Sequence, residues 1–192
     1  VFKVQIYIKG NKPFDTLIIK GKKWLVTYFS VVDNRKTDPK YNPPKAITGL
    51  TYNGRPHILI NQGHVEGGDM LYKLDNGIYS PELPTAVDAG DYTIYYMVKG
   101  DPDHNDTAEQ RITVTISKAA LTGTPTFTPV TEAGKTIADV TLTAPTRWPE
   151  GTFYWMNGEI GLSKATPITQ GTSYEWVFIP ADINYKSIGG NI

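Results

Sequence analysis

Apolar and polar residues alternate along most of this chain with the two-residue period of a sheet strand. Tyr92, Ile94, Tyr96 and Val98 fall on one face of a stretch whose other face carries Thr93, Tyr95, Met97 and Lys99, so residues 92–99 are expected to be a strand with one buried side. Near the start, Phe2, Val4, Ile6 and Ile8 alternate with polar neighbours. Turn signals at 10–13 and 21–23 then separate further strands at 16–20 and 24–32, giving a three-stranded meander. The polar, proline-bearing run DNRKTDPKYNPP at 33–44 reads as a linker, because its closing prolines cannot donate ladder hydrogen bonds.

From 45 to 118 strands are expected at 47–52, 57–60, 70–74, 92–99 and 111–117. Asn53-Gly54 is expected to make a hairpin turn, Asp75-Asn76-Gly77 a second turn, and Pro81 and Pro84 an irregular crossing. From 119 to 192 the expected strands are 124–128, 138–143, 152–156, 174–179 and 186–192. Short strands at this spacing with turns between them indicate a β-sandwich. The run DAGDYTIYYMVKGDPDHND at 88–106 is echoed about eighty residues later by GTSYEWVFIPADINYKS at 171–187, which suggests two similar β domains in series. Their connection near Ala119 is short, so a semi-rigid rod is expected.

Composition narrows the class. Of 192 residues, 40% are hydrophobic and 20% charged, as in folded soluble domains, and 18 Gly with 14 Pro favour many turns over long helices. A formal net charge of zero removes the electrostatic argument for nucleic acid. The chain contains no cysteine, which excludes disulfides, thiolate metal sites and a cysteine nucleophile. No apolar run is long enough to span a bilayer. The absence of an initial Met suggests a piece of something longer.

Candidate chemistry is sparse. In the run 101–106, Asp101, Asp103 and Asn105 present alternate side-chain oxygens, the pattern that holds calcium in tight loops. The sixth position is Asp106 and the twelfth Ile112, where an EF-hand needs Gly and Glu, so a self-capped turn is the preferred reading. His57, His64 and Glu66 supply zinc-ligand types near one another, with solvent-facing polar residues as the preferred reading. Trp148, Tyr154, Trp155 and Trp176 supply rings that could stack on a glycan or plug a core, and core packing is preferred. Tyr95 and Met97, on the wetter face, suggest an interdomain contact. No Ser stands in a Gly-x-Ser-x-Gly elbow, no catalytic set emerges, and no cofactor is implied.

Leu-Thr-Tyr-Asn-Gly at 50–54, Gly-Gly-x-Met-x-Tyr at 67–72, Ala-Gly-x-Tyr-x-Ile-Tyr-Tyr at 89–96 and the Gly-Asp-x-x-His-Asn-Asp turn at 100–106 occur in one order over some seventy residues. In this the chain resembles an immunoglobulin-like repeat of bacterial cell-surface proteins. TRWPEGTFYW at 146–155 and YEWVFIPADINY at 174–185 are similar to a companion repeat found downstream in such proteins. The resemblance implies an all-β chain of tandem immunoglobulin-like β-sandwich domains at 45–118 and 119–192, preceded by a short β-rich unit of unknown type at 1–44. It implies an extracellular, non-catalytic stalk or spacer on a bacterial surface or in a secreted protein, presenting an adhesive or other head. The alternatives are a glycan-binding adhesin module and an accessory domain of a secreted carbohydrate-active enzyme. Expected partners are neighbouring domains of the same chain and a host or cell-wall glycan or protein, with no nucleic acid and no membrane insertion. Some domains of this general kind carry a Lys–Asn isopeptide crosslink. Asn191 is a conceivable acceptor here, but no pattern selects its lysine.

Overall fold

A computed structural model describes residues 36–192 of the chain, which lie within one compact unit, Arg35–Ile192. The meander expected at 1–32 lies outside the described residues. The strands are, in order, β1 Lys40–Asn42, β2 Lys45–Ala46, β3 His57–Ile58, β4 Ile60–Asn61, β5 His64–Glu66, β6 Gly68–Leu74, β7 Thr85–Ala86, β8 Gly90–Gly100, β9 Gln110–Ile116, β10 Thr126–Phe127, β11 Leu142–Thr143, β12 Gly151–Asn157, β13 Ile160–Gly161, β14 Glu175–Pro180 and β15 Ile188–Asn191. One 3₁₀ turn, Ile137–Asp139, interrupts them, and no α-helix occurs among the described residues. All strand pairs are antiparallel, and the architecture is all-β.

β8 is the centre of the first core. Its alternation buries Ile94, Tyr96 and Val98, which face Leu74, Tyr72 and Met70 across β6. On the other side Ile94 and Tyr92 face Ile112 and Val114 of β9. Leu59, Ile60 and Ile116 complete the cluster, and each such side chain contributes about 1.5–3 kcal/mol when fully buried. The second core lies under β12 and β14, where Phe153 pairs with Phe178 and Trp155 with Trp176. Trp148 closes it with its ring centroid 4.9 Å from Phe178 and 6.2 Å from Trp176, while its indole N–H donates to the Thr122 carbonyl at 3.0 Å. That hydrogen bond lets a large polar-tipped ring be buried at low cost.

Four local expectations are corrected. The stretch read as a linker up to residue 44 instead forms β1, pairs with β5, and buries Pro39 and Pro44, with Tyr41 packed on the first core. Its prolines sit where no ladder donor is required. The expected Asn53-Gly54 hairpin is held only at its base. Lys45 faces Asn61 and Ala46 faces Ile60, and the Ile47 N–H donates to the Leu59 carbonyl at 2.9 Å. Beyond that point the chain leaves the pair, and Thr51 makes a parallel bridge to Ser117, because Leu50 and Tyr52 gain more by packing on the core beside β9. The crossing at Pro81 and Pro84 contains β7, paired with β3. The strand expected at 138–143 is shortened to β11, because its first residues lie in the 3₁₀ turn, where the Asp139 carboxylate accepts the Thr136 N–H at 2.9 Å.

Candidate functional site

The two echoed stretches end in the same backbone device. In the first, Asp101 Oδ1 accepts the Asp103 N–H at 2.9 Å and the Asp101 carbonyl accepts the His104 N–H at 3.2 Å. In the second, Asp182 Oδ1 accepts the Asn184 N–H at 2.9 Å and the Asp182 carbonyl accepts the Tyr185 N–H at 3.2 Å. These are Asx turns, in which a short carboxylate replaces a missing backbone partner.

Each turn then holds one residue of an approaching chain. Thr37 donates to the Asp103 carbonyl at 3.0 Å and accepts from the Asn105 N–H at 2.8 Å. Ala119 donates to the Asn184 carbonyl at 2.8 Å and accepts from the Lys186 N–H at 2.8 Å. Both are single parallel bridges, Thr37 with His104 and Ala119 with Tyr185. The structure therefore builds the same clasp twice.

The first clasp is reinforced by charge. Asp101 Oδ1 also lies 2.7 Å from His104 Nδ1, and that hydrogen bond leads in holding the Asp101 carboxyl below the ordinary carboxylate range. The imidazole lies where Gly67 has no side chain. A Cβ there, at φ +94°, would stand 2.6 Å from the ring. Asp106 accepts from Lys99 Nζ at 2.6 Å and from the Gly100 N–H at 3.0 Å, and its carboxyl is lowered, the lysine hydrogen bond leading. Asn105 Nδ2 donates to Asp38 Oδ1 at 3.0 Å.

The calcium candidates Asp101, Asp103 and Asn105 are thus gathered in one turn, where Asp101 caps the backbone and Asn105 turns its amide toward Asp38. Among the described residues no group of three or more His, Asp or Glu is placed to hold a metal ion. The shallow hollow beside the turn is lined by Lys36 and Lys99 as well as Asp38, Asp101 and Asp106.

The second clasp joins the two cores. Asn184 is buried, accepts the Ala89 N–H on Oδ1 at 2.7 Å, and donates through Nδ2 to Asp88 Oδ1 at 3.1 Å. Beside it the Tyr52 and Tyr185 rings meet edge to face with centroids 5.5 Å apart. Desolvation raises the Tyr52 hydroxyl pKa first, and the negative ends of Asp182, Tyr185 and Asp88 add to the rise. Tyr92 donates to the Asp88 carbonyl at 2.7 Å, fixing the turn that Asn184 grips.

The other candidates are dispersed. Trp148 and Trp176 are buried in the second core and Trp155 packs against it, which takes their faces out of any glycan platform. Tyr154 alone of the four points away, 49% exposed. His57 lies in β3, paired with β7, whereas His64 and Glu66 lie in β5, paired with β1. Asn191 is exposed on β15, opposite Glu175.

On the wetter face of β8, Tyr95 does more than the pattern indicated. Lys73 Nζ sits 4.8 Å from its ring centroid and 4.7 Å from that of Tyr79, and pairs with Glu109 at 2.7 Å. The Tyr79 hydroxyl donates to the same Glu109 oxygen. Its pKa is pushed up to about 12, chiefly by burial and then by that hydrogen bond.

The two turns are legible in the sequence, but their partners Thr37, Ala119, Asp88 and Ala89 are not. The available signal was the shared Asp-x-Asp/Asn spacing at 101–103 and 182–184. No family model, curated protein or solved structure matches this chain.

Proposed function

We propose that the chain is a non-catalytic stalk or spacer segment of a bacterial cell-surface or secreted protein, built from tandem immunoglobulin-like sandwiches that hold a functional head at a set distance. The junction around Asn184 carries this reading. β9 ends at Ile116, and only three residues later Ala119 is already held in the second clasp, while the Asn184 side chain grips Asp88 and Ala89. A connection this short, secured by main-chain and side-chain bonds, transmits orientation where a Gly/Ser linker would dissipate it. The sandwich assignment draws support from the placement of β6, β8 and β9 in one sheet, with Thr51 added in parallel beside Ser117.

The test uses the absence of cysteine. Paired cysteines introduced at the exposed positions Thr113 and Thr152 accept spin labels without competing thiols. A single narrow distance distribution supports the spacer, and Asn184→Ala is expected to broaden it. A broad distribution in the unaltered sequence background would count against the proposal. A glycan-binding module is the second reading, supported by the exposed Tyr154 and Ile179 on a face that also carries the half-buried Val177. Glycan-array binding lost in Tyr154→Ala would favour it.

A further inference from the structure

Three Asn-Gly pairs occur in the chain, Asn53-Gly54, Asn76-Gly77 and Asn157-Gly158. At such a pair the main chain can attack its own side chain, since glycine lacks the Cβ that would block the approach. The glycine nitrogen forms a bond to the asparagine Cγ, the bond from Cγ to the amide nitrogen breaks, and ammonia leaves with the proton that the attacking nitrogen gave up. Water then opens the cyclic imide to aspartate or isoaspartate. The reaction consumes one water, releases one ammonia and involves no change of oxidation state.

The fold treats the three nitrogens differently. Gly77 donates its N–H to the Leu74 carbonyl at 2.8 Å, closing the turn after β6. Gly158 donates to Glu175 Oε2 at 2.9 Å. Either bond must open before the nitrogen can attack. The Gly54 N–H has no partner among the described residues, and the nearest atom to a Cβ built there is the Tyr52 hydroxyl, 4.0 Å away.

Asn53 Oδ1 meanwhile accepts the Arg55 N–H at 2.9 Å. That bond folds the carboxamide back over the Gly54 peptide and polarises the Cγ=O group that is attacked. Both Asn53 and Gly54 are exposed, so water reaches the imide.

We propose that Asn53 is a site of spontaneous deamidation in the folded protein, and that hydrogen bonding protects Asn76 and Asn157. The location gives the reaction a consequence. Tyr52 donates its N–H to the Ser117 carbonyl at 2.9 Å and packs on Tyr185 at the junction of the two cores. Isoaspartate would lengthen the main chain by one methylene next to that contact.

The full chain is incubated in mildly alkaline buffer, digested at intervals and mapped by mass spectrometry, with isoaspartate detected by enzymatic methylation. Asn53 is expected to convert faster than either other site by about fivefold, the factor one net hydrogen bond supports. In urea the three rates are expected to converge, because each Asn-Gly pair has then lost the hydrogen bonds that distinguish it in the fold. Removing one protecting acceptor with Glu175→Ala is expected to raise the Asn157 rate. Equal rates in the folded protein, a lead by Asn76 or Asn157, or an Asn157 rate indifferent to Glu175→Ala would each overturn the proposal.

Discussion

Asn184 matters because its buried side chain grips a turn that lies far away in the sequence. Truncation in Asn184→Ala leaves the Ala89 N–H and the Asp88 carboxylate without that partner, and is expected to cost about 1–3 kcal/mol by urea denaturation. Asn184→Asp is nearly isosteric but sets a second carboxylate 3.1 Å from Asp88 Oδ1, and is expected to be at least as destabilising at neutral pH. The introduced carboxyl would have a raised pKa in the folded state. Its stability contribution is therefore present below about 4, the unfolded value, and lost as pH rises. Partial recovery of Asn184→Asp on acidification, relative to Asn184→Ala, checks the sign. The echo of 88–106 at 171–187 pointed to this turn, since an Asx side chain capping a backbone two residues on is a local event. The Ala89 partner was invisible, because nothing local marks a contact across 95 residues.

At the level of strands, the alternation in β8, β9, β12 and β14 was legible because a two-residue period maps directly onto inward and outward faces. Two-residue strands such as β7 and β13 carry no period to read. Close packing also constrains strand ends. A Cβ at Gly151, the first residue of β12, would stand 2.4 Å from Phe178 and 2.5 Å from the Ile179 carbonyl, so Gly151→Ala is expected to destabilise by about 1–3 kcal/mol. Gly161→Ala in β13, where a Cβ meets open space, is the matched control in the same melt. Outside β8, the Tyr79 hydroxyl remains neutral to about 12, so its contribution is complete below the unfolded value near 10 and lost as pH rises toward 12. Ultraviolet titration should show Tyr79 within the late-ionising tyrosine fraction, and Glu109→Gln should move part of that fraction earlier.

For the whole molecule, the carboxyls of Asp101, Asp106, Glu109 and Asp139 are all lowered, the first three led by hydrogen bonds from His104, Lys99 and Lys73 and the last by the Thr136 N–H. Their contributions are present above the unfolded values near 4 and lost as pH falls through the folded ones, so the urea midpoint should decline on acidification. Asp106→Asn should lower the midpoint at neutral pH and flatten that decline. The second clasp also couples the two cores. Amides of β8 and β14 are expected to exchange with one common opening free energy, and Asn184→Ala should separate them. Two distinct opening energies in the unaltered chain would refute the coupling.

What could be read without the structure was whatever depends on neighbours in sequence: the all-β class, the buried face of β8, the repeated Asx turns and the lack of cysteine chemistry. Burial and capping of that kind are fixed by periods of two residues and reaches of two or three. The tertiary structure decided the rest. It turned the stretch read as a linker before residue 45 into a paired strand, drew Thr51 away from its expected hairpin to Ser117, and gave three of the four candidate glycan aromatics to the second core. It also gave the second turn its partner at Asp88 and Ala89. Each outcome depends on which distant surface offers the greater burial or the missing hydrogen bond, a comparison that requires the whole fold to be assembled.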